Sequence, residues 1–377
     1  MYKVPLSDID VGKAEIMAVE KVLKSRWLTL GDVTARFEQE FAKYMNVKEA
    51  VAVSSGTAAL HLANLVLGIG PGDEVILPSM TFVATVNAVL YTGAIPIFAD
   101  IKGIDDFNVA SEEIEKKITP RTKAICVVHY GGYPADMDRI LAIAKRHGLR
   151  VIEDAAHAIG AELNSQKVGT IGDIGCFSFF SNKNITTGEG GMLVTQDLDL
   201  AQRARRLRSH GMTSLSWDRL KGHASSYDVT DLGFNYRTTE IASAIGRVQL
   251  RKLDTNNIKR HKITEEYKKN LKDHKGLHLP FTHYFGKPSY HLFPIILPNQ
   301  DQRDRLQTKL KKAGIQTSIH YSPVHLFSYY RKTYGNATGD LSKTVDVAAR
   351  ELTLPLFSGM TKDQIRLVVT TLIKNLS

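Results

Sequence analysis

The sequence predicts an α/β protein with a mostly parallel central sheet and a smaller C-terminal α+β domain. Three observations carry this expectation. Between about residues 12 and 200, helical and strand-like hydrophobic patterns alternate, as in strands joined by helical crossovers. From about residue 251 the composition shifts to a lysine-rich amphipathic run followed by short strand patterns. Ser55, Asp154 and Ser178 all fall at or near predicted strand ends, and ligands in parallel sheets bind at the carboxyl ends of the strands. Residues 1–250 are therefore assigned to a large domain and 251–377 to a small one.

The elements follow in order. Val11–Lys24 and Val33–Tyr44 have helical periodicity, with Asp10 placed to cap the first. Ala50–Val53 is a short apolar strand that runs through Ser54-Ser-Gly-Thr57 into a helix, Ala58–Leu67. Gly68-Ile-Gly-Pro-Gly-Asp73 is a turn cluster. The strand Glu74–Leu77 and a helix from Phe82 to Tyr91 come next. Further strands are Ile95–Ala99, Ala124–Val128, Arg150–Glu153 and Gly175–Phe179, with a helix near Met137–His147. An apolar helix, Glu240–Leu250, precedes a long amphipathic one, Lys252–Asp273. His291–Leu297 and Gln316–Ile319 read as strands, and Asp363–Asn375 as a terminal helix.

With 377 residues, 43% hydrophobic and 23% charged, the chain is long enough and apolar enough to bury a full core. No apolar run approaches the roughly 20 residues of a membrane span. The start, Met1-Tyr-Lys-Val-Pro-Leu-Ser-Asp8, lacks the apolar stretch of a secretory leader. Cys126 and Cys176 lie in apolar runs and read as buried free thiols in a reducing cytoplasm, with no metal site. The net charge is +10. Its basic residues are spread over Arg203–Arg208, Arg251–Lys272 and Lys309–Lys312 rather than gathered in one block. Solvated helix faces explain most of that charge. An anionic small substrate comes second and nucleic acid third.

The chemistry centres on Ser178-Phe-Phe-Ser-Asn-Lys183-Asn-Ile-Thr-Thr-Gly-Glu-Gly-Gly191. Alone, Lys183 would be an exposed loop lysine. Here it follows a buried strand and precedes glycines that let backbone approach a ligand closely. The strand Val151-Ile-Glu-Asp154 ends in a carboxylate, with Glu153 expected on the opposite face. A lysine paired with a strand-end aspartate is the core of a pyridoxal phosphate site. The amine forms a Schiff base with the cofactor, and the carboxylate keeps the pyridine nitrogen protonated. An ordinary strand cap is the alternative for Asp154. His157, three residues on, reads either as a ring contact or as a satisfied polar residue behind the site.

Ser54-Ser-Gly56-Thr57-Ala58 joins a strand to a helix, so its N–H groups and hydroxyls form a candidate phosphate cradle, to which Ser178 adds a hydroxyl. Read alone, the same pattern is a plain helix cap. Phe82, in Pro78-Ser-Met-Thr-Phe82, is either a core aromatic or a ring stacked on the pyridine.

These segments resemble the DegT/DnrJ/EryC1/StrS family of pyridoxal-phosphate-dependent nucleotide-sugar aminotransferases, within fold type I, the aspartate aminotransferase-like fold. The resemblance runs nearly end to end. It includes Ser25-Arg-Trp-Leu-Thr29-Leu-Gly31, Ser54-Ser-Gly-Thr-Ala-Ala-Leu60, Glu153-Asp-Ala-Ala-His157 and Gly233-Phe-Asn-Tyr-Arg237. Later matches are Tyr290-His-Leu-Phe293, Ile319-His-Tyr-Ser-Pro323 and Leu352-Thr-Leu-Pro-Leu-Phe357. Two departures stand near the substrate-side N-terminal segment: Arg26 where the family often has glycine, and Asp32 where it often has proline.

The resemblance implies roles that the residues alone do not. Asn235 would reach the cofactor phosphate of a partner subunit, making a homodimer with shared sites. Arg237, His320 and Tyr321 would lie near the nucleotide-sugar. The implied reaction moves an amino group, from L-glutamate, onto a UDP- or dTDP-linked 4-keto-6-deoxyhexose. A 3-keto sugar is the alternative within the class. Sugar dehydratases of this fold carry histidine in place of the lysine, so Lys183 argues against that chemistry. A non-catalytic regulatory or DNA-binding protein is disfavoured by the intact Lys183 and Asp154.

Overall fold

The computed structural model describes residues 2–214, 225–334 and 340–376. Its core is a seven-stranded sheet. Numbered along the chain, the strands are β1 (Glu49–Val53), β2 (Glu74–Pro78), β3 (Ile95–Ala99), β4 (Thr122–Val128), β5 (Arg150–Asp154), β6 (Ile174–Ser178) and β7 (Gly191–Thr195). Their spatial order is β1-β7-β6-β5-β4-β2-β3. The β6–β5, β5–β4, β4–β2 and β2–β3 pairs are parallel. Only β7 runs the other way, antiparallel to both β1 and β6.

Parallel strands must be covered on both faces, so they read as continuous apolar runs rather than alternating ones. β2 follows that rule, with every residue buried, and the antiparallel β7, placed between β1 and β6, is buried throughout as well. One face packs on the helices Gly56–Val66, Val83–Leu90 and Leu198–Arg208 through Leu62, Val86, Val89 and Leu207. The other packs on Asp32–Met45 through Phe37 and Phe41, and on Met137–His147 through Ile140 and Ile143. Met137–His147 has the bounds that its periodicity predicts. Asp136 caps its start, and Gly148, at φ 65°, ends it in the left-handed region.

Three expectations need correction. The first helix is Lys13–Ser25 and begins at Gly12, not Asp10. The Asp10 carboxylate instead accepts from Asn256 Nδ2 at 3.1 Å and meets Lys252, tying the N-terminal segment to the long helix. Glu240–Leu250 and Lys252–Asp273 are one continuous helix, Glu240–Leu271. No proline or glycine cap interrupts it, so the change of composition at 251 marks a change of surroundings. Gln316–Ile319 is not a strand. Ser318 makes a single bridge to Thr353, and the partner of Phe293–Ile296 is Glu351–Leu354. Leu352-Thr-Leu-Pro-Leu, one of the family-like segments, thus contributes strand residues that its sequence pattern does not announce. The terminal helix, Lys362–Asn375, starts at a capping box in which Thr361 and Gln364 each satisfy the other's backbone N–H.

Candidate active site

Strand polarity places the site. β1, β2, β5 and β6 end on the same edge, and the loops beyond them wall a cavity of about 400 Å³. Asp154 is the last residue of β5 and Ser178 the last of β6. Glu153 points to the opposite face, as its neighbour's inward side chain requires. Its carboxylate accepts from the N–H groups of Gly169, Ile171 and Gly172 and faces His129 Nε2 at 3.0 Å.

One end of the cavity is a helix start. Ser55 caps Gly56–Val66, its Oγ accepting from Ala58 N at 3.1 Å. The N–H groups of Gly56 and Thr57 stand at the open end of the helix, where the helix dipole favours an anion. Gly56 is required there, since a Cβ would lie 2.8 Å from Ser178 Cβ. Ser178 and Thr57 line the cavity, whereas Ala58 is buried and takes no part in the wall. A phosphate suits this end.

The other end is acidic. Asp154 is 6% exposed. Its Oδ2 accepts from Thr85 Oγ1 at 2.7 Å, and its Oδ1 from Ala156 N at 3.2 Å. Thr81 Oγ1 lies 2.7 Å from Thr85 Oγ1, so the two hydroxyls form a chain ending on the carboxylate. Burial raises the carboxyl above its ordinary value, while Thr85, Ala156 and then Lys183 oppose the rise. Such a group gains most from a cation beside it.

Lys183 lines the same cavity. Burial lowers its ammonium to about 8, against the pull of Asp154. The segment that carries it is anchored by Asn184. The Asn184 Nδ2 donates to Asn257 Oδ1 and Ser289 O, both at 2.8 Å, and its Oδ1 faces His291 Nδ1 at 3.0 Å. Phe82 precedes the helix Val83–Leu90 and is 58% exposed on the cavity wall, so it is not a core aromatic. His157 Nε2 lies 2.9 Å from Tyr321 OH, while its buried Nδ1 has no partner among the described residues. Burial holds this imidazole well below its usual value, and so neutral.

His320 and Tyr321 also line the wall. Asn235 and Arg237 do not. Asn235 is exposed, and the Arg237 Nη1 is buried without a partner among the described residues. The sequence reading missed Thr81, Thr85, Asn184 and His291. The i, i+4 spacing of Thr81 and Thr85, straddling a helix start, was the available signal for the first pair.

Thr85→Val should remove the hydroxyl that holds Asp154 ionised. The carboxyl then rises further, so activity is lost at a higher pH on acidification. A hydrogen bond to a charged group is worth about 1.5–3 kcal/mol, so the rate should fall roughly 10- to 100-fold. A pH–rate profile that matches the parent enzyme would show that Thr85 does not tune Asp154.

A doubly wound sheet with an open helix start, a strand-end carboxylate and a half-buried lysine around one cavity defines a fold type I pyridoxal phosphate enzyme. The chain belongs to the DegT/DnrJ/EryC1/StrS aminotransferase family, whose model matches residues 10–373. It is 41% identical over 369 residues to the spore coat polysaccharide biosynthesis protein SpsC of Bacillus subtilis, covering 97% of this chain and 94% of SpsC. Among solved structures it resembles Helicobacter pylori PseC, an aminotransferase involved in pseudoaminic acid biosynthesis. That match has 30% identity and a TM-score of 0.92, and covers 99% of each chain. The pyridoxal phosphate form of the Streptococcus pneumoniae putative sugar aminotransferase Spr1654 superposes with a TM-score of 0.92 at 28% identity, over 100% of this chain and 99% of that one. The chain is thus a pyridoxal-phosphate-dependent sugar aminotransferase. The residues fit the cofactor: free N–H groups for its phosphate, a buried carboxylate short of a cation, and an exposed aromatic face on the wall.

Proposed function

We propose that this enzyme moves the amino group of L-glutamate onto a nucleotide-linked keto-sugar, a UDP- or dTDP-4-keto-6-deoxyhexose. The observation that carries the proposal is the placing of Lys183 and Asp154 in one cavity with an anion-binding helix start. The overall charge of +10 suits a substrate bearing a diphosphate. When bound, the cofactor supplies an electron sink for the carbon that loses or gains a proton.

This chain's residues supply the rest. The Lys183 amine, softened by burial, holds the cofactor at rest and moves the proton at the reacting carbon. Asp154 stays anionic and keeps the ring nitrogen charged. Gly56, Thr57 and Ser178 hold the phosphate, with Ala58 fixing the helix start through Ser55. Phe82 packs on the ring and His157 lies beside it. Arg237, His320 and Tyr321 serve the nucleotide-sugar. Assay against a panel of UDP-, dTDP- and GDP-linked keto-sugars tests the substrate class. Turnover of at least one 4-keto-6-deoxy substrate is expected, and turnover of 3-keto sugars alone would reassign the carbon.

The active unit is a homodimer in the cytoplasm, a compartment consistent with the buried free thiols Cys126 and Cys176. Asn235, exposed and away from its own cavity, reaches the partner's cofactor phosphate. Mixing inactive Lys183→Ala chains with impaired Asn235→Ala chains should restore partial activity, because one of the two mixed sites then carries neither lesion. Activity that stays at the level of the parent variants, with subunit exchange verified, would place Asn235 in its own site.

A further inference from the structure

Behind the His320–Tyr321 segment lies a carboxyl that the proposed chemistry does not use. Glu351 is fully buried at the start of the strand Glu351–Leu354. Its Oε2 accepts from the backbone N–H of His320 at 2.8 Å, and its Oε1 accepts from the hydroxyl of Thr353. That hydroxyl lies 2.9 Å from His320 Nδ1. The opposite ring nitrogen, Nε2, has no protein partner among the described residues, and the imidazole lines the cavity.

A hydroxyl has one proton to give. With Glu351 ionised, Thr353 gives that proton to the carboxylate. It must then accept from His320 Nδ1–H, which leaves a lone pair on Nε2. With Glu351 protonated, the acid proton belongs on Oε1, because Oε2 already faces an N–H. Thr353 then accepts from the acid and donates to Nδ1, and the ring carries its proton on Nε2. The two states differ by one proton. Taken up at Nε2 from the cavity, it displaces the Nδ1 proton onto the hydroxyl and the hydroxyl proton onto Oε1.

We propose that Glu351 and Thr353 are positioning residues that set the tautomer of His320. The cavity wall then offers an acceptor with the carboxylate and a donor with the acid. An aminotransferase handles an amine in one half of its cycle and a carbonyl in the other. An acceptor suits the first and a donor the second.

The surroundings allow both states. Burial pushes the Glu351 carboxyl up to about 8, against Thr353, the His320 N–H and Arg303. Arg303 approaches from the helix Gln300–Lys312 and donates to the Glu351 carbonyl at 3.3 Å. Tyr130 donates to the His320 carbonyl, and Tyr321 is the other phenol within electrostatic reach. Arg350, next in sequence, is paired with Asp346. The paired strand Phe293–Ile296 brings no charge. His320 itself is lowered to about 4 by burial and Lys183, so it changes tautomer rather than charge.

Solid-state ¹⁵N spectra of the histidine-labelled holoenzyme test this, with His320 assigned by loss of its signals in His320→Gln. As pH rises through the Glu351 titration, the protonated nitrogen should change from Nε2 to Nδ1. Glu351→Gln mimics the acid permanently, its oxygen accepting from the His320 N–H and its NH2 donating to Thr353. It should therefore show Nε2–H at every pH. Thr353→Val cuts the chain and should abolish the pH response, which keeps the test available if Glu351→Gln does not fold. One unchanging tautomer in the parent enzyme overturns the proposal, as does a parent-like response in either variant. The readout does not depend on turnover, so it fails separately from the assignment of substrate.

Discussion

Lys183→Ala will bind pyridoxal phosphate without a covalent link and will lose transamination by about 10⁴-fold or more, since it removes both the attachment and the proton carrier. The fold should survive. Lys183 lines a cavity rather than filling the core, and its neighbours Asn184 and Thr186 keep their own hydrogen bonds. Dialysis should strip cofactor from the variant more readily than from the parent. Visible absorbance and single-turnover rates with L-glutamate measure both effects. Residual turnover within tenfold of the parent would mean that another group carries the proton.

Asp154→Asn should cost about 10²–10³-fold in rate, the scale on which one well-placed electrostatic partner contributes. The amide can still accept from Thr85 Oγ1. Its NH2 would face the Ala156 N–H now 3.2 Å from Oδ1, a local mismatch rather than a collapse. Weak cofactor binding and near-parental thermal stability are expected together with the rate loss. Near-normal turnover would show that the ring nitrogen is held in its charged form by something else.

The sheet is legible in the sequence because buried parallel strands are nearly continuous apolar runs, and six of its seven strands, all but β7, read as strands there. β7 is also the antiparallel member, and Gly191-Met-Leu-Val-Thr195 directly follows the glycine-rich turn, whose residues mask its start. The meeting of Lys183, Asp154 and the Gly56–Thr57 turn at one cavity was legible because each lies at or a few residues beyond a strand end. The supporting contacts were not. Thr85 reaches Asp154 across 69 positions of sequence, and His320 meets Thr353 across 33. No local period records such meetings. Glu351 was hidden for another reason: a carboxylate in a short strand pattern looks like a solvated edge until the helix Gln300–Lys312 covers it. The Asp10 cap failed because a residue suited to capping was taken up by the long helix instead.

The proposed chemistry requires Lys183 to be the residue that carries the cofactor. Borohydride treatment of the cofactor-loaded enzyme, followed by proteolysis and peptide mapping, tests it most directly. A phosphopyridoxyl label is expected on Lys183 alone, within the peptide that contains Ser181-Asn-Lys-Asn184. A label on any other lysine, with Lys183 unmodified, would contradict it.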